Sequence, residues 1–109
     1  MADDPMRKRA AALYNQTWDL LEQPDRDAAG DRHLLLTACA SRVLWDSFGD
    51  AQTIAVGDWM VARAHAAAGD FDARARYVAL AGDLVSKIPD AEDRDLIAEQ
   101  LATVPEVPA

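Results

Sequence analysis

Two histidines, one cysteine and scattered aspartates are the residues on which catalysis or metal binding in this chain would have to rest. His33 belongs to the first turn of a helical segment and reads as solvated. His65 shares a stripe with Val61 and Ala68, a position that lines a groove between helices. Neither has a nucleophile or an orienting carboxylate at motif spacing, which general acid–base catalysis requires within hydrogen-bond reach. Cys39 sits between alanines on a face of small residues. A reactive thiol needs cationic neighbours or a helix start, and only Arg42 lies near, so Cys39 reads as a packed hydrophobe. It has no Cys or His neighbour at zinc spacing and no second cysteine to pair with. Asp46, Asp50 and Asp58 occupy a helix end, a cap and a helix interior, and their spacing is not that of a calcium loop. The acids of "DAEDRD", Asp90 to Asp95, are those that the positive end of a helix dipole favours. No phosphate loop, nucleophile elbow or metal-binding helix motif occurs. The expectation is a protein that is not an enzyme, with no catalytic, cofactor or metal residue.

Aromatic and basic residues offer a different chemistry, that of binding. Trp45 and Trp59 lie on apolar stripes and read as core, where indole burial contributes most. Trp18 sits one position off the Leu13–Thr17–Leu21 line and suits an anchor for a partner, as tryptophan often is at interfaces. Arg63, Arg74 and Arg76 flank the sequence "GDFD". They suit carboxylates of a partner or, more ordinarily, intramolecular pairing with Asp70 and Asp72. The partner-binding set so named is Trp18, Trp59, Arg63, His65 and Arg74. A second reading, from another class, is a small-ligand binder or minor enzyme. Its pocket lies between the second and third helices and is lined by Trp45, Trp59 and His65.

The elements that must position these residues are helices. Asp3 or Asp4 caps a first helix that Pro5 opens and Pro24 closes. Along it Met6, Ala10, Leu13, Tyr14, Thr17 and Leu21 recur at three- and four-residue steps. Asp25 or Asp27 caps a second helix with Leu34, Ala38, Ser41, Trp45 and Phe48 in register, stopped by Gly49. Asp50 caps a third, from Ala51 to Ala68. Gly69 and Asp70 repeat the stop-and-start device before a fourth, from Phe71 to Lys87. Pro89 and Asp90 then introduce a fifth, with Leu96, Ile97, Leu101 and Val104 on its apolar edge. Within helices, Gly57 and Gly82 each cost about 1 kcal/mol against alanine. A close helix crossing would offset that cost. For Gly82 a tolerated surface position is an equal alternative.

The chain has 109 residues, half of them apolar, which suffices for one core. Residues 1–104 are expected to form a single domain, and "PEVPA", residues 105–109, a frayed tail. Nineteen acidic against 11 basic side chains give a formal charge of −8. That balance repels phosphate backbones and anionic lipid, which argues against nucleic acid and membrane surfaces as partners. No apolar run reaches the roughly 18 residues of a membrane span, and the amino terminus lacks a secretory signal's apolar core. A cytoplasmic protein is expected.

The stretch "WMVARAHAAAGDFDARARYV" resembles a tetratricopeptide hairpin. Trp59 stands early in one helix, "GDFD" makes the turn, Tyr77 and Ala81 follow, and Pro89 stands where the repeat would close. Arg74 takes the family's small position five after the turn glycine, and His65 stands where its tyrosine would be. More widely, "ALYNQTWDLLEQPDR", "ACASRVLW" and "GDWMVARAHAAAGD" resemble, in that order, small bacterial tetratricopeptide-like (TPR-like) proteins without an assigned activity. Members of that group carry histidines along the segment matching Leu34–Leu44, where this chain has Leu, Cys or Val. The resemblance therefore implies a fold and brings no catalytic residue. The expectation is an all-α chain of about five antiparallel helices, TPR-like hairpins with a C-terminal capping helix. Its expected role is protein interaction, with a protein or peptide or a second copy of itself as partner.

Overall fold

The computed structural model describes residues 5–47 and 50–104. The expected caps Asp3 and Asp4, the Phe48–Gly49 stop and the 105–109 tail lie outside the described residues. Five helices follow one another: α1 Pro5–Leu21, α2 Ala28–Trp45, α3 Ala51–Ala67, α4 Phe71–Val85 and α5 Ala91–Ala102. The described residues contain no strand. The architecture is all-α, built from stacked helical hairpins closed by a terminal helix.

The starts of α2, α3, α4 and α5 are each set by an aspartate side chain that takes up backbone groups a helix end leaves unpaired. Asp27, Asp50, Asp70 and Asp90 accept from the N–H of Gly30, Thr53, Ala73 and both Glu92 and Asp93. Gly69, at φ 85°, ends α3. There the Asp70 N–H donates to the His65 carbonyl and the Gly69 N–H to that of Ala66, the paired bonds of a left-handed C-terminal cap. Arginines finish two other turns. Arg26 Nη1 donates to the carbonyls of Leu20, Leu21 and Gln23. Arg94 Nη1 does the same for Ile88 and Pro89. Helix α2 ends at Trp45 with Asp46 as its C-cap, short of the expected extension to Phe48.

Helix α3 is the centre of the fold, touching all four other helices; α2 and α4 do not meet each other. It buries Ala55, Gly57, Asp58, Trp59, Met60, Val61, Ala62, Ala64 and Ala66, so it is enclosed on most of its circumference. Small residues set how near its neighbours come. Ala10 on α1 is fully buried, and Ser41 Oγ on α2 donates to its carbonyl at 2.9 Å. Gly57 lets α2 approach: a Cβ there would stand 2.6 Å from Arg42 Cδ. Gly82 has nothing within 4 Å of such a Cβ and is a surface position. The two interior glycines thus have unlike reasons.

Candidate functional site

Gln52, Val56, Trp59 and Arg63 recur at four-, three- and four-residue steps along α3 and so lie on one strip. With α1 and the end of α2 this strip forms an open cleft of about 320 Å³. Ala11, Tyr14, Asn15, Trp45, Gln52, Thr53 and Val56 line it. Its walls are apolar, and the carboxamides of Asn15 and Gln52 supply both donors and acceptors. The Arg7 guanidinium lies 5.6 Å from the centre of the Trp45 ring, within cation–π range.

One turn further along both helices the strip reaches two indoles. Trp18 and Trp59 meet at 5.7 Å between ring centroids, tilted by 57°. Arg63 lies over both, 5.4 Å from the Trp18 ring and 6.0 Å from that of Trp59. Its expected pairing with Asp70 or Asp72 does not form; the indole faces hold the guanidinium instead. Trp59 is buried, and its Nε1–H donates to the Gln100 carbonyl at 3.0 Å, tying α3 to α5. Trp18 is half-buried and packs against the core.

A second cleft, of about 420 Å³, lies on the opposite side of α3, between α2 and α4. Asp58 forms its floor, with a side chain only 3% exposed and Oδ1 2.7 Å from Arg42 Nε. Arg42 Nη1 also binds Asp46 at the end of α2. Burial pushes the Asp58 carboxyl above its ordinary pKa, and the Arg42 bond offsets part of that rise. Ile54, Leu80 and Leu84 make the apolar part of the walls, and Asp83 and Lys87 line the α4 side.

The remaining named residues stand elsewhere. His65 stacks on Tyr77 of α4 at 5.4 Å and 18°. Its Nδ1 is buried without a hydrogen-bond partner, 3.9 Å from Asp70 Oδ2. Burial holds its pKa below 6.5, with Asp70 pulling upward and Arg76 downward. Arg74 donates to the Val104 carbonyl at 3.2 Å, joining α4 to the end of α5. The fold therefore brings Trp18, Trp59 and Arg63 together and keeps His65 and Arg74 apart from them. Of the trio expected to line a ligand pocket, Trp45 lines the first cleft, while Trp59 faces α5 and His65 faces Tyr77. Cys39 is half-buried, and burial raises its pKa, so it holds its proton.

Sequence reasoning assigned Asp46 and Asp58 to separate settings and missed the arginine that joins them. An acid in a helix interior beside a glycine was the available signal. Among the described residues, no group of three or more His, Cys, Asp or Glu side chains is placed to hold a metal ion. No described helix is long and apolar enough to cross a membrane. No protein-family model, curated protein or solved structure matches the chain.

Proposed function

We propose that the protein is a non-enzymatic, TPR-like interaction module of a bacterial cytoplasm that binds a protein or peptide segment along the α1–α3 cleft. The observation that carries this is the cleft's composition and shape. An apolar floor carries carboxamides, and one helical turn beyond it along α1 and α3 stands a tryptophan pair in which Trp18 is half-buried. Carboxamides suit a peptide backbone, which presents donors and acceptors in alternation. The apolar floor suits one or two side chains of that segment. The imidazoles and the thiol support the non-enzymatic side of the reading. His33 is exposed, His65 packs on Tyr77 and Cys39 keeps its proton, so none is poised beside a cleft as base or nucleophile.

The test is selection of binders from a displayed peptide library, followed by measurement of the selected peptides against Asn15→Arg. Asn15 is exposed and lines the cleft, so an arginine there obstructs the cleft and leaves the core intact. Affinity should fall at least tenfold with the helical circular dichroism unchanged. Peptides that bind the variant and the parent alike would remove the cleft from consideration.

The second reading, a small-ligand binder, is favoured by size: about 320 Å³ falls at the low end of the roughly 300–1,000 Å³ of ligand pockets. A thermal shift with a small metabolite, abolished by Asn15→Arg, would promote it over the peptide.

A further inference from the structure

The exposed side of α4, whose C-terminal half borders the α2–α4 cleft through Leu80, Asp83 and Lys87, carries charges in an order that matches itself when reversed. Asp72, Arg76, Leu80 and Asp83 follow at steps of four, four and three, which places them on one strip of α4, and Lys87 follows in the turn two residues past the helix end at Val85. All five are exposed, Leu80 at 51%. Asp72 and Lys87 are equidistant from the midpoint between Ala79 and Leu80, and so are Arg76 and Asp83. None of the four charges pairs within ion-pair distance of another described side chain. Beside the strip, Ala79 and Gly82 are exposed and present no bulk, and nothing stands within 4 Å of where a Cβ on Gly82 would be.

We propose that this strip is a homotypic interface, on which a second copy of the chain lays its own α4 antiparallel about a two-fold axis near Leu80. In that pairing Arg76 of each copy stands opposite Asp83 of the other, and Asp72 opposite Lys87. Leu80 meets its symmetry mate at the centre. A parallel pairing in register would set each charge against its like, so the order of charges selects the antiparallel arrangement. The ordinary competitor is pairing within the helix, since Asp72–Arg76 and Asp83–Lys87 are each four residues apart in the favourable orientation. Among the described residues none of the four side chains forms an ion pair, which leaves them available to a partner. The inference rests on the interaction-module reading and gives its self-associating form a surface. That surface is separate from the α1–α3 cleft, so each can fail alone.

The experiment is sedimentation equilibrium on the full chain and on Arg76→Glu and Asp83→Arg, singly and mixed. The parent should form a dimer that weakens in high salt. Each single variant juxtaposes like charges and should be monomeric at concentrations where the parent is dimeric. Mixed one to one, the two variants restore both opposite pairs and should form a heterodimer of parental strength. A parent that stays monomeric at millimolar concentration overturns the proposal, as does a dimer indifferent to either substitution or a mixture that fails to associate. Peptide binding at the α1–α3 cleft, measured on the same samples, reports separately on the broader reading.

Discussion

The clefts on the two sides of α3 are of similar size and opposite construction. The α1–α3 cleft is largely apolar and amide-lined, and on the same side of the molecule Arg7 and Arg63 rest on indole faces. The α2–α4 cleft is organised by a carboxylate drawn into the core and an arginine that follows it. A charge removed from water needs its partner to stay, so the second side is committed to holding α2 on α3. Among the described residues the first side contains no buried ion pair, and its polar lining includes the carboxamides of Asn15 and Gln52. What separates the two sides is that one buries a charge with its partner and the other does not.

That contrast can be broken most forcefully at Asp58. Asp58→Ala removes the buried partner of Arg42, leaving it only the exposed Asp46, and should cost about 3 kcal/mol in chemical denaturation, while peptide binding by the folded fraction stays unchanged. A cost below about 1 kcal/mol would mean that the pair is no more than a surface contact. Gly57→Ala comes next. The new methyl presses on Arg42, and overpacking of about 1–3 kcal/mol outweighs the roughly 1 kcal/mol that alanine gains in a helix. Once Asp58→Ala has freed Arg42 to move, the same substitution should become nearly neutral, a coupling that a double-mutant cycle reads directly. Gly82→Ala has nothing to press on and should stabilise by up to about 1 kcal/mol. Equal effects at the two glycines would erase the distinction between them.

The smallest expected effect is a pH slope. Burial lowers the His65 pKa in the native state, so the unfolded chain binds that proton more readily. Its contribution is therefore complete above about 6.5 and is lost as pH falls through that value toward the lowered native pKa. His65→Phe keeps a ring against Tyr77 and should remove this slope from stability measured across that range. The subtraction isolates it from Asp58, whose raised pKa gives a slope of the opposite sign at more acidic pH. An unchanged slope in the variant would place the titration elsewhere.

Much of the scaffold was legible because its punctuation is local. Asp27, Asp50, Asp70 and Asp90 each reach a backbone N–H two or three residues on, and Gly69 turns a single residue left-handed. Such contacts are written in adjacent letters. The site was less legible, because its partners are far apart in the chain. Trp18 and Trp59 are on different helices, and Trp59 finds its acceptor at Gln100. Arg63 offered salt bridges and aromatic faces with equal chemistry, and helix placement chose the faces.

The sequence alone determined that this chain would be helical, where most helices begin, and that it carries a formal charge of −8. Tertiary structure decided which of two helix-interior glycines is a slot and which is bare, and which aspartate leaves water. It also decided which arginine lies over indoles. The physical reason is range. Caps and turns act across a few bonds, whereas burial and ion pairing depend on which helix faces happen to meet.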